Sequence, residues 1–244
     1  MDVETVRAYF NEAGAVRHYA KAVANVGLWE SEKLLLGRHF SKSEKILDLG
    51  CGAGRVSVGL WKEGYGDVTG ADLAEAMVAE AREIADCLGC PVRFGRQDAT
   101  ALDYREESFD AVVFAFNGLM QIPGRGARRA ALREIRRVLR PGGRFIFSTL
   151  DREDRLYAKV FAFADDPEHD LTRNPNLVDY GDRHFRTEHG TTFMHVPRRE
   201  EVVADLKDAG FELVEDAMRS ALARERREVL AFSEDCRLWV VRRL

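Results

Sequence analysis

At 244 residues, 45% of them hydrophobic and 9% aromatic, the chain is long enough for one sizeable α/β core with additions. Its 37 basic and 41 acidic residues leave a formal charge of −4, which excludes a general attraction for nucleic acid or for an anionic membrane. No run approaches the roughly 20 apolar residues that span a bilayer, and the opening MDVETVRAYF carries acids where a signal peptide carries bases, so a cytoplasmic protein without a membrane partner is expected.

Apolar and small residues recur at three- and four-residue spacing through Val16, Ala20, Val23 and Val26, then through Leu34, Leu35 and Phe40, predicting helices over the first forty residues. At Lys45 the pattern changes to a short apolar run, KILDLG, followed by the glycine-rich CGAGR and a helical VSVGLWKEG. DVTGAD, LAEAMVAEAREIADCL and PVRFGRQD then read as strand, helix and strand. FDAVVFAF is a fourth strand, ARRAALREIRRVLR a helix stopped by Pro141-Gly142-Gly143, and RFIFSTL a fifth strand. Such alternation implies parallel pairing in a doubly wound α/β sheet. Residues 151–197 break it: a helical stretch through Tyr157 and Phe161 runs into turn formers and charge, then TTFMHVP, as an insertion would. After Pro197, RREEVVADLKDAG reads as a helix, and FELVEDAM and CRLWVVRRL as closing strands across an arginine-rich connection.

The sharpest feature is Ile46-Leu47-Asp48-Leu49-Gly50-Cys51-Gly52-Ala53-Gly54, where the first strand turns into the first helix of the alternating core. In an open parallel sheet ligands sit beyond the carboxyl ends of the strands, and glycines there allow close approach to the backbone. The dinucleotide fingerprint G-x-G-x-x-G fails in both frames, ending at Arg55 from Gly50 and at Ser57 from Gly52. A carboxylate at Asp48 would also repel a pyrophosphate, whereas it suits a ligand carrying an ammonium and a sulfonium. No Walker-type string occurs. Asp72, eighteen residues after Gly54 at the end of VTGAD, is placed to accept both hydroxyls of a ribose.

DLGCGAG, GADLAEAM, the aspartate of GRQDA, FDAVVFAFNGLM and REIRRVLRPGGRFIFS, in this order, resemble the class I S-adenosylmethionine-dependent methyltransferases, in their broad small-molecule branch. The match runs from Lys45 to Leu150, and residues 198–244 are similar to the family's antiparallel sheet end. The resemblance implies a Rossmann-like, seven-stranded, mostly parallel sheet of order 3-2-1-4-5-7-6 with the last strand antiparallel. It further implies an N-terminal helical lid at 1–44 and a methyltransferase domain at 45–244, with an acceptor cap at 151–197. S-adenosylmethionine is the implied cofactor: Asp48, Gly50, Cys51 and Gly52 would hold its methionine part, Asp72 its ribose, and Leu73 and Met77 would flank the adenine. Asp98 would accept from the adenine amino group with Ala99 offering its amide, and Ala115 and Phe116 would reach the ammonium or methyl region.

Methyl transfer from a sulfonium is an in-line displacement to which alignment and exclusion of water contribute much, so the sequence names no obligatory catalytic residue. Acceptor candidates are Tyr19 and Trp29 ahead of the core, and His184 and His195, whose neighbours Phe185 and Phe193 suggest a lined pocket. The aromatics Tyr157, Phe161, Phe163, Tyr180, Phe185 and Phe193 of the insertion favour a small organic acceptor. No metal is expected: Asp165, Asp166, Glu168, His169 and Asp170 read as a solvated charged loop, and Cys87 and Cys90 lack a second pair or ligand-spaced histidines. The arginines at 128, 129, 133, 136, 137 and 140 lie opposite Leu132, Ile135, Val138 and Leu139, as ordinary amphipathicity places them, so nucleic acid is not the expected partner. A donor-binding protein without turnover and a tRNA or RNA methyltransferase stand as alternatives, and the oligomeric state is left open.

Overall fold

A computed structural model describes residues 2–162 and 177–244. Three helices open it, α1 (Val3–Asn11), α2 (Ala13–Asn25) and α3 (Glu30–His39). The alternating core follows as β1 (Lys45–Leu49), α4 (Arg55–Lys62), β2 (Asp67–Asp72), α5 (Glu75–Leu88), β3 (Arg93–Arg96), β4 (Phe109–Phe114), α6 (Arg125–Val138) and β5 (Leu139–Thr149). Beyond it lie α7 (Arg155–Ala162), β6 (Asp182–Thr187), β7 (Gly190–His195), α8 (Arg199–Asp208), β8 (Phe211–Met218), α9 (Arg219–Leu222), α10 (Arg227–Phe232) and β9 (Arg237–Arg243).

The main sheet has the order β3-β2-β1-β4-β5-β9-β8. Strands β1 to β5 pair in parallel, and β9 runs antiparallel between β5 and β8. Because β6 and β7 form a hairpin of their own, β8 and β9 are the sixth and seventh strands of this sheet, and the 3-2-1-4-5-7-6 order implied by the resemblance is the observed one.

Side chains alternate across the pleat and both faces are apolar, as strands covered on both sides require. Leu47, Leu49, Val112, Phe145, Phe147 and Trp239 pack with Leu132 and Ile135 of α6 and Leu206 of α8. Ile46, Val113, Ile146 and Val240 face the other way, onto Leu35 and Leu36 of α3 and Val56 and Leu60 of α4.

One boundary differs from the expectation. Pro141-Gly142-Gly143 ends α6 but is absorbed into β5, where the ladder steps from Phe109 opposite Leu139 to Ala111 opposite Arg144. A bulge lets these turn residues stay inside a strand without a continuous ladder.

Within 151–197 the described part is α7 and the β6–β7 hairpin. The hairpin reaches the N-terminal helices: the Tyr9 and Thr187 hydroxyls lie 3.1 Å apart. At the last residue of α1, Asn11 Oδ1 accepts the Ala76 N–H at 2.9 Å, tying the helix to the first turn of α5.

Candidate cofactor site

β1, β2, β3 and β4 end side by side, and residues at or just beyond their ends surround one hollow. Gly50 and Gly52 have φ of +64° and +54°, so the turn after β1 adopts a left-handed course that glycine takes without a Cβ penalty. A Cβ on Gly50 would lie 2.4 Å from Phe114 Cε2, so there the side chain is excluded by space as well. Asp72 closes β2. Its Oδ2 accepts the Gly52 N–H and its Oδ1 the Ala74 N–H, both at 2.8 Å, so the carboxylate is held between turn and helix start. Burial pushes Asp72 above the ordinary carboxylate range, against the pull of those amides.

Asp48 sits at a position of β1 whose neighbour on the same face is the apolar Ile46, and it accepts the Ser57 hydroxyl at 2.5 Å. Burial pushes it up to about 7, although Ser57 and the Arg55 guanidinium pull the other way. A carboxyl raised in the folded state binds its proton more tightly there than in the unfolded chain, so stability falls as pH rises from about 4 to about 7 and stays low above. The Asp48→Asn variant escapes this loss. In urea unfolding it is expected to match the wild type near about pH 4 and to exceed it by up to about 4 kcal/mol at about pH 8. A gap that does not change with pH would contradict the assignment.

Beyond β4 the backbone is strained. Phe116 and Asn117 have φ of +52° and +61°, a conformation costing roughly 1–3 kcal/mol per non-glycine residue when held. The turn is fixed by the Asn117 N–H donating to Ser148 Oγ at 2.8 Å. It presents Phe116 to the hollow, backed by Trp29 at 6.0 Å between ring centroids.

The resulting cavity, counted together with the open solvent at its mouth, spans about 1120 Å³. Asp48, Gly50, Cys51, Gly52, Asp72, Leu73, Met77, Asp98, Ala99, Ala115 and Phe116 all line it, and so does Tyr19. Asp98 Oδ1 accepts the Thr100 N–H at 2.8 Å and its hydroxyl at 2.7 Å. Cys51 is buried, and burial pushes its thiol well above the ordinary value, so it is an inert small wall residue and not a nucleophile.

Three of the four acceptor candidates lie elsewhere. Trp29 is fully buried between the Arg55 and Arg219 guanidinium groups, 5.0 and 4.9 Å from its ring. His195 is buried in a clasp, with Nδ1 2.8 Å from Asp182 and Nε2 2.7 Å from Glu201, which joins the hairpin to α8. His184 is half-buried on β6 and outside the lining. Tyr157 and Phe193 are buried, and the half-buried Tyr180 packs against the cluster that holds Tyr157. Phe163, the side chains of Phe161 and Phe185, and the acidic run Asp165, Asp166, Glu168, His169 and Asp170 lie outside the described residues.

Sequence reasoning missed two walls. Val3, Val6, Arg7 and Phe10 of α1 face the cavity, a stripe at helical spacing that was legible as amphipathicity. Phe232 enters from α10, far along the chain in the arginine-rich connection, and no local signal marks it. The arginine face of α6 is largely spoken for. Arg125 and Arg129 pair with Asp205, Arg128 with Asp179 and Arg137 with Glu134 at 2.7–3.0 Å, and Arg140 pairs with Asp110.

Comparison with known proteins agrees with this geometry. Residues 46–143 match the family described as the methyltransferase domain. A demethylmenaquinone methyltransferase of Thermus thermophilus is 41% identical over 104 residues, covering 42% of this chain and 46% of that protein. The chain spans about half the length of the curated relatives it matches. Among solved structures, a S-adenosylmethionine-dependent methyltransferase of Methanosarcina mazei superposes with a TM-score of 0.71 at 21% identity, over 90% of this chain and 99% of that one. A [4+2]-cyclase shares the fold at a TM-score of 0.69 and 19% identity, over 98% and 95% of the two chains. Motif order and sheet topology define a Rossmann-like methyltransferase fold around this cavity. Over residues 46–143 the chain is similar to the methyltransferase-domain family, and its fold is that of the solved S-adenosylmethionine-dependent methyltransferase.

Proposed function

We propose that the protein transfers the methyl group of S-adenosylmethionine to a small organic acceptor in the cytoplasm. The reading rests above all on Asp72, whose carboxylate is anchored at a strand end on the wall of a cavity shared with the glycine turn, Asp98 and Phe116. These residues fit the donor: the turn and Asp48 for the amino-acid part, Asp72 for the ribose, Leu73 and Met77 against the adenine, Asp98 and Ala99 for its amino edge, and Ala115 and Phe116 toward the reacting end. The bound donor supplies an electrophilic methyl on a sulfonium.

The protein's own part is alignment and exclusion of water. Phe10, Tyr19, Phe116 and Phe232 make an apolar rim. Tyr19 has no hydrogen-bond partner for its hydroxyl among the described residues, and burial raises it well above the ordinary phenol value. It therefore keeps its proton at neutral pH and can orient an acceptor by donating to it. A small acceptor is favoured over RNA because Arg125, Arg128, Arg129 and Arg137 of α6 are engaged within the chain. No helix among the described residues is long and apolar enough to cross a membrane.

The test is a screen of phenols, amines, carboxylic acids and quinols with the donor, read by the gain of one methyl group and matching formation of S-adenosylhomocysteine. Turnover with at least one class is expected. Donor binding without product across the screen would favour a donor-binding protein that does not transfer the methyl, a role the fold permits because fold does not set function.

A further inference from the structure

We propose that Tyr19 and Phe116 form an aromatic cage that selects the charged sulfonium of the donor over its neutral thioether product; the inference rests on the donor-site reading above. In S-adenosylmethionine the sulfur joins the amino-acid part to the ribose, so it belongs between the groups that hold those two parts. In this protein the two groups adjoin, because Gly52 of the turn donates its N–H to Asp72 at 2.8 Å.

Tyr19 covers that junction. A Cβ on Gly52 would point at its ring, 4.0 Å from Cδ1, and both residues line the cavity. The Phe116 ring stands 83° from the Tyr19 ring with centroids 6.0 Å apart, making a corner of two aromatic walls. Phe232 supports Phe116 from 4.9 Å. A cation lodged in that corner lies within the roughly 6 Å over which a ring quadrupole attracts it, and the attraction grows where water is excluded.

Charged groups nearby act on the same corner, and the carboxylates among them are fixed in place by hydrogen bonds that leave their charge intact. Asp72 accepts two backbone amides, Asp48 the Ser57 hydroxyl, and Asp98 the Thr100 amide and hydroxyl. Arg55 lines the cavity with both ends of its guanidinium on Glu32 at 2.7 Å. At the corner itself the walls are aromatic, so the rings add their attraction to that of the carboxylates for the one group that differs between donor and product. Such a cage weakens its hold once the sulfur is neutral, which limits inhibition by product.

Calorimetric titration of S-adenosylmethionine, S-adenosylhomocysteine and sinefungin, which carries a protonatable amine in place of the sulfonium, tests this on the whole chain. Tyr19→Leu and Phe116→Leu are each expected to weaken S-adenosylmethionine about five- to thirty-fold more than S-adenosylhomocysteine, with sinefungin following the charged donor. Tyr19→Phe keeps the ring and should keep the ratio. Should Tyr19→Leu not fold, Phe116→Leu reads the same ratio. Equal losses for donor and product would overturn the cage and leave the donor site standing, whereas a folded wild type that binds none of the three would overturn both.

Discussion

Replacing Glu32 by alanine is expected to lower the unfolding free energy by about 3–5 kcal/mol, the range for removing one partner of a buried ion pair. Glu32 and Arg55 are both buried and meet through two parallel hydrogen bonds of 2.7 Å. Glu32 also accepts the Trp29 N–H at 2.9 Å at the start of α3, and Arg55 donates to the Gly27 carbonyl at 2.8 Å. The pair thus fastens the N-terminal helices to the first turn of α4, directly behind the cavity wall. Without Glu32, the Arg55 charge is left to Asp48, whose carboxyl Arg55 already pulls down. Asp48 offers part of a replacement, so the loss should lie toward the lower end of the range at neutral pH. Urea unfolding with an unchanged slope would report it as a lowered midpoint. Glu32→Gln, which keeps an acceptor and loses the charge, should fall between; a Glu32→Ala midpoint equal to wild type would mean the pair holds nothing together.

The second large effect is on binding. Asp72→Ala removes the acceptor assigned to the ribose hydroxyls, and hydrogen bonds to a charged group are worth about 1.5–3 kcal/mol each. Two of them lost correspond to at least a hundred-fold weaker donor binding. The Gly52 and Ala74 amides also lose their acceptor, so the glycine turn is loosened at the same time. Asp72→Asn retains one oxygen and is expected to lose less.

That Gly50, Gly52 and Asp72 line one cavity was legible because their signals are local. A parallel sheet places ligands at strand ends, so all three could be located from the pattern that ends each strand, while Asp98 was implied by the resemblance. The bulge in β5 was not legible, since Pro141-Gly142-Gly143 reads as a stop whether or not the ladder resumes around it. Histidines were harder still. His195 beside Phe193 resembles a pocket lining in sequence, yet Asp182 and Glu201 reach it from elements thirteen residues before and six after, and only the tertiary structure brings them together. Phe232 has no local mark at all: its role depends on where a short helix after β8 returns across the mouth.

The central claim is that this cavity is a donor site built on Asp72. Calorimetry of S-adenosylmethionine and S-adenosylhomocysteine binding to the wild type and to Asp72→Ala tests it most directly. Saturable binding to the wild type, lost or weakened at least about a hundred-fold in a folded Asp72→Ala, is the predicted result; no binding to a folded wild type, or equal binding to both proteins, would contradict it.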